Sequence, residues 1–143
     1  MTVLPDPGTE FGARVARRLA DDRVVWFTVV DGAGTPQPAP VWFLWDPTSE
    51  TVLVYSQHDA KRLSHLRERP RVALHLNCSP LGGDVVVLTG TARVGTEDPP
   101  VDRNPDYLAK YGERIREGWQ DPENFASTYS VPVRIDVRRV RGL

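Results

Sequence analysis

The sequence predicts a mainly-β fold: a six-stranded antiparallel sheet curled into a closed or split barrel, with helices at its periphery. Three observations predict it. β-Branched and aromatic runs recur along the 143 residues. Most connections between them are too short for the crossover that parallel neighbours need. The last run alternates apolar and charged residues, the pattern of a half-exposed antiparallel strand. Curling such a sheet into a barrel removes or protects its edges.

Taken in order, Glu10 to Ala20 reads as a helix with Thr9 as N-cap and Phe11, Val15 and Leu19 as its buried stripe. Arg23 to Val30 is a strand expected to be buried on both faces. Asp31-Gly32-Ala33-Gly34 turns the chain. Gln37 to Trp45 is the second strand, and the alternating Pro36, Pro38 and Pro40 place its first half at an edge. Thr51 to Ser56 is the third. A short helix from Ala60 to Arg67 follows, capped by Asp59 and packed through Leu63 and Leu66. Arg71 to Asn77 and Asp84 to Val94 are the fourth and fifth strands, separated by the Gly82-Gly83 turn. Pro105 to Trp119 is helical, with Asn104 as N-cap and Tyr107, Leu108, Tyr111, Ile115 and Trp119 at three- and four-residue steps. A helical turn at Pro122 to Phe125 precedes the sixth strand, Val131 to Val140.

Length and composition describe one domain spanning 1–143, with a helical insertion near 101–126. Hydrophobic residues are 40% and charged residues 26% of the chain, ordinary globular values. A net charge of −1 gives no overall attraction to nucleic acid; the one local argument for it is the cluster Arg134, Arg138, Arg139 and Arg141. Cys78 is the sole cysteine, so no internal disulfide forms. No apolar run approaches the ~20 residues of a membrane helix, and the N-terminal stretch to Gly12 lacks a basic-then-apolar signal pattern. The expectation is a soluble cytoplasmic protein that spans no membrane and binds no nucleic acid. Three histidines and one cysteine without ligand spacing give no zinc site.

The segment most pointed toward chemistry is the turn into the short helix. Lys61 and Arg62 stand at its start, where backbone N–H groups are unpaired and the helix dipole is positive. Two cations there are favourable when an anion joins them, which makes the turn a phosphate site. The chain has 18 Lys and Arg residues, of which only Lys61 and Lys110 are lysine.

Four segments, in order, resemble the pyridoxamine 5′-phosphate oxidase-like split-barrel family, in its branch of flavin- and deazaflavin-dependent oxidoreductases. Ala39-Pro-Val-Trp-Phe43 is similar to the second-strand run that lines the cofactor cleft. Tyr55-Ser56…Lys61 resembles the strand-to-helix phosphate segment. Leu66-Arg-Glu-Arg-Pro-Arg-Val-Ala-Leu74 and Asp84-Val-Val-Val-Leu-Thr-Gly-Thr-Ala-Arg-Val94 resemble the following two strands. Arg69 departs from the family's usual Asn before Pro70, and the C-terminal Arg/Trp pattern of true pyridoxamine phosphate oxidases is missing. The resemblance implies an FMN-binding type of split barrel, a homodimer with the cofactor at the subunit interface, and an oxidoreductase acting on a small organic substrate. It favours the deazaflavin coenzyme F-420 and leaves FMN, or a non-enzymatic flavin- or tetrapyrrole-binding protein, as alternatives. On that reading Lys61 and Arg62 hold the phosphate, and Ser56, Gln57 and His58 complete the nest around it. Pro40, Val41, Trp42 and Phe43 flank the ring cleft, with Trp42 on the strand face opposite Val41 and Phe43, and Tyr55 belongs to the phosphate segment.

Two further groups remain open in the sequence. His75 and Asn77 share a strand face with Ala73, as a structural pair or as a cleft lining. Tyr107, Tyr111, Trp119 and Phe125 are either the packing face of the insertion or a lid over a substrate.

Overall fold

A computed structural model describes residues 2–119 and 121–143. Strands β1 (Val25–Val30), β2 (Pro36–Val41), β3 (Leu44–Asp46), β4 (Thr51–Ser56), β5 (Arg71–His75), β6 (Val86–Val94) and β7 (Val131–Gly142) form one sheet. Its order is β2-β1-β5-β6-β7-β4-β3, and every pairing is antiparallel. Helices α1 (Glu10–Asp21), α2 (Lys61–Glu68), α3 (Pro105–Trp119) and α4 (Pro122–Thr128) lie around it, with a 3-10 turn at Val101–Arg103.

The two outermost strands of the sheet, β2 and β3, are consecutive in the chain. Only Trp42 and Phe43 separate them. From Val41 to Leu44 is three residue steps, at most roughly 11 Å, so the far edges of the sheet are drawn together. The sheet curls into a half-barrel: the split barrel expected from the sequence.

The same two residues explain why there are seven strands rather than six. The expected second strand is interrupted at Phe43, whose main chain is taken up by α3 instead of a neighbouring strand. The Phe43 N–H donates to the Tyr111 hydroxyl at 3.0 Å, and that hydroxyl donates to the Arg23 carbonyl at 2.7 Å. The Lys110 ammonium donates to the Phe43 carbonyl at 2.9 Å and lies 3.9 Å from the centre of the Phe43 ring. Before the break, Pro36, Pro38 and Pro40 pair with Val30, Thr28 and Trp26, on an edge strand that needs no outward donors.

Burial follows what covers each strand. The barrel core contains Phe27, Phe43, Val52, Val54, Leu74, Leu88 and Ile135. A second cluster joins Leu53 and Tyr55 of β4 to Tyr107, Tyr111, Ile115 and Phe125. Helices α3 and α4 thus cover the outer face of β4, and all six of its residues are buried. β1 was expected to be the strand buried on both faces. It alternates instead, with Val25, Phe27 and Val29 buried and Trp26, Thr28 and Val30 half-buried.

Thr9 caps α1, its hydroxyl accepting from the Gly12 N–H at 3.0 Å. Asp59 does not cap α2. The cap is the extended Ala60, which offers no side-chain acceptor. At the other end Arg69 has φ −133° and ψ 81°, so no left-handed residue is needed and Arg replaces the family's Asn without strain. Its Nε donates to the Val30 carbonyl at 3.0 Å, tying α2 to the end of β1. Gly90 lies at a register shift between β6 and β7, where a Cβ would stand 2.1 Å from the Asp136 carbonyl oxygen.

Of the C-terminal arginines, Arg134 turns into the fold. It donates to Asp98, to Asp46 at 3.1 Å and to the Thr51 hydroxyl at 2.7 Å. The basic cluster is thereby reduced to the exposed Arg138, Arg139 and Arg141. No described helix is long and apolar enough to cross a membrane.

Because Tyr111 is 1% exposed, Tyr111→Phe leaves the Phe43 N–H buried without an acceptor. The expected loss is about 1–3 kcal/mol, read from the shift of the urea unfolding midpoint at constant m.

Candidate functional site

The interruption at Trp42 and Phe43 sends neighbouring side chains in opposite directions. Phe43 enters the barrel core, while Trp42 lies under the helices. Its indole is sandwiched between Tyr111, at 4.6 Å between centroids and 2° between planes, and Phe125, at 5.5 Å and 13°. Trp42 is therefore packed as a core residue is, and it still presents an edge to a cavity of about 550 Å³.

That cavity has one wall from Val24, Pro40, Val41 and Trp42, and another from Tyr55, Ser56 and Gln57 where β4 runs out toward α2. Ala60 and Arg62 close it on the α2 side. Tyr107, Trp119, Phe125 and Tyr129 cover it from α3, α4 and the residue after α4. Its size falls within the range of pockets that hold drug-sized ligands, and its aromatic walls with a few polar groups suit a flat conjugated molecule.

A second cavity, of about 670 Å³, lies between the β1–β2 hairpin and α2. Lys61, Arg62 and His65 face Asp31, Gln37 and Pro38 across it, above Phe27 and Val29. Arg62 lines both cavities.

Seven of the residues expected at a cofactor site, Pro40, Val41, Trp42, Tyr55, Ser56, Gln57 and Arg62, share the first cavity. Lys61, one helical step from Arg62, is exposed and faces the second. His58 is exposed and lines neither of these two cavities. The insertion's aromatics prove to be packing face and cavity lid together: Tyr111 packs beneath Trp42, while Tyr107, Trp119 and Phe125 pack and line. Tyr129 was not singled out in the sequence, although its four-residue step from Phe125 was the available signal. The two rings stack at 4.6 Å.

His75 and Asn77 are exposed on the outer face of the sheet, away from this cavity. His75 stacks on Trp26 at 6.1 Å, and Asn77 accepts from the Trp26 indole N–H at 2.9 Å. They are a structural set.

The electrostatics of the site centre on Arg62. Arg14, Arg18, Arg69, Arg93, Arg114 and Arg134 each pair with a carboxylate. Arg62 is more enclosed than an ordinary surface arginine, and burial pushes its guanidinium below the usual value, with Tyr129 partly offsetting the effect. Among the described residues it has neither an ion-pair nor a hydrogen-bond partner. A partly desolvated cation of this kind is costly until an anion joins it.

The tyrosines differ in their partners. Tyr55 donates to the Pro99 carbonyl and accepts from the Asn104 amide at 3.0 Å. Burial raises the phenols of Tyr107 and Tyr111 well above the ordinary tyrosine value, so both are neutral donors at any working pH.

A curled antiparallel sheet of the split-barrel type thus carries an aromatic cavity beside an arginine that has no partner among the described residues. The chain belongs to the pyridoxamine 5′-phosphate oxidase family, whose sequence model matches residues 11–142. Solved structures share the fold at low identity. A provisionally named pyridoxamine 5′-phosphate oxidase from Listeria innocua is 21% identical, with a TM-score of 0.66 over 90% of this chain and 94% of that one. An F-420 reductase is 17% identical, with a TM-score of 0.66 over 87% and 94%. The haem storage protein HutZ from Vibrio cholerae is 10% identical, with a TM-score of 0.62 over 94% and 95%. No curated protein sequence matches the chain.

Lys110, which braces the cavity wall through Phe43, titrates at about 8, lowered from 10.5 by burial. Between those values the unfolded chain holds a proton that the folded chain has released. Unfolding therefore takes up a proton, and stability rises with pH across that window. Wild-type protein is expected to gain stability between pH 8 and 10, as read from urea midpoints, and Lys110→Met to lose that slope.

Proposed function

We propose that this chain is an oxidoreductase that uses a flavin-type cofactor to act on a small organic molecule, with coenzyme F-420 preferred and FMN the alternative. The observation that carries the reading is Arg62, a partly buried cation without a partner among the described residues, at the meeting point of an aromatic cavity and a second, cation-lined one. The residues fit the group. A phosphate bears roughly −1.5 to −2 charges at neutral pH and can take two parallel N–H bonds from one guanidinium. The aromatic and proline walls of the first cavity suit its ring.

A bound flavin or deazaflavin ring carries the hydride or electron pair. The protein's own part is binding, orientation and the exclusion of water. Arg62 neutralises the phosphate, and Lys61 adds a second positive charge from the other side of the helix start. Ser56 and Gln57 offer donors at the end of β4. Trp42, fixed between Tyr111 and Phe125, is a stiff wall, which keeps the ring from tilting. The chain needs no catalytic side chain beyond a proton donor.

The family resemblance supports a homodimer with the cofactor at the subunit interface. The preference for F-420 rests on the branch that the Ala39–Phe43 and Leu66–Leu74 segments resemble. A tetrapyrrole-binding role is the weaker reading, because His58, His65 and His75 all lie outside the first cavity and none is placed to hold an iron there.

Titration of the purified protein with each cofactor tests the proposal. Micromolar affinity for F-420 with weaker binding of FMN is the expected order. Micromolar FMN with no response to the deazaflavin reverses the preference, and no binding of either refutes the cofactor reading. Arg62→Gln should weaken the better cofactor by about 1.5–3 kcal/mol, the range for a charged hydrogen bond, while Lys61→Gln has the smaller effect.

A further inference from the structure

Three tyrosines from the second cluster are almost fully enclosed, and their hydroxyls are treated differently. Tyr55 and Tyr111 both donate to backbone carbonyls and accept from N–H groups. Tyr107 is 1% exposed, its ring edge-on to Tyr55 at 5.0 Å and tilted on Tyr111 at 4.9 Å. Its hydroxyl makes no hydrogen bond with any described residue. Tyr107 is not among the described residues with a fully enclosed side-chain atom that lacks a hydrogen bond, and it lines the first cavity.

A hydroxyl that bonds none of the described residues gives the fold nothing that a phenylalanine would not. At this place in the helix the packing is satisfied by the ring alone. The hydroxyl's remaining use is toward whatever fills the cavity, and it can serve there only as a donor to a ligand acceptor or as an acceptor from a ligand N–H. Tyr107, Tyr129 and Arg62 all line the first cavity, so phenol and guanidinium address one space.

We infer that Tyr107 is a ligand-binding residue whose hydroxyl donates a hydrogen bond to an acceptor atom on the conjugated ring held in the first cavity, while Arg62 holds the ligand's anionic end. This inference rests on the cofactor reading above, and it adds to that reading which residue reads the ring. The phenol stays neutral through the working range, so its contribution does not change with pH. A hydrocarbon-edged ring without a carbonyl or ring nitrogen leaves the hydroxyl unanswered and is selected against.

The test pairs stability with binding. Without ligand, Tyr107→Phe should unfold at the wild-type midpoint or above it, in contrast to Tyr111→Phe, which falls below. With ligand, Tyr107→Phe should weaken riboflavin and FMN by the same five- to tenfold, on the scale of one hydrogen bond. Arg62→Gln should weaken FMN and leave riboflavin unchanged. The same pattern should hold for the deazaflavin chromophore with and without its phosphate. A midpoint for Tyr107→Phe as low as that of Tyr111→Phe means that the hydroxyl serves the fold, and overturns the inference. Unchanged ring affinity in Tyr107→Phe overturns it while leaving the cofactor reading intact. Failure of wild-type protein to bind any of the four compounds overturns both.

Discussion

The fold depends on how the chain passes from one edge of its sheet to the other at Trp42 and Phe43. Two residues cannot bridge the edges of a flat seven-stranded sheet, so the sheet has to curl. The polar atoms of Phe43 then face α3, outside any ladder, and in a buried setting they need partners. Tyr111 and Lys110, neighbours on α3, supply them. One buried phenol bonds both the Phe43 N–H and the Arg23 carbonyl, and the ammonium bonds the Phe43 carbonyl while sitting over its ring. The insertion between β6 and β7 is thus part of the barrel's closure.

That closure also makes the site. Phe43 turned inward fills the barrel and Trp42 turned outward starts the aromatic stack, so one pair of residues specifies core and cavity wall together. α3 and α4 are held down by the stack and in turn roof the cavity. Arg62 enters from α2, whose position is set by Leu63 and Leu66 in the core and by Arg69 on the end of β1. The candidate site consequently lies where three separately anchored elements meet, an aromatic cavity beside a cation with no counter-charge among the described residues.

Most of this architecture was legible in the sequence because local signals agreed with the final structure. The alternating Pro36, Pro38 and Pro40 announced an edge, Thr9 a helix start, and the tyrosine and isoleucine steps from Tyr107 to Ile115 a packed helical face. Most of the misreadings have tertiary causes. Val24 to Val30 and Thr51 to Ser56 are equally apolar, and only the placement of α3 and α4 decides that the second is the one covered on both sides. The break at Phe43 is invisible in a run that continues as Leu44-Trp45, because its cause lies 67 and 68 residues away in Lys110 and Tyr111. Asp59 looked like a cap because the helix start was read one residue early. The candidate site was proposed as a segment through its resemblance to the family, and seven of the residues so named share one cavity. The separation of Lys61 from Arg62 required the helix's actual register, and the proposal for Tyr107 required knowing which of three tyrosine hydroxyls bonds none of the described residues.

A structure of the protein with its preferred deazaflavin or flavin bound tests the account most directly. The account predicts the ring inside the cavity bounded by Trp42, Tyr107 and Phe125, with the phosphate on the Arg62 guanidinium. A ring bound on the outer face of β1 and β5, or a phosphate held by Lys61 with Arg62 turned away, would contradict it.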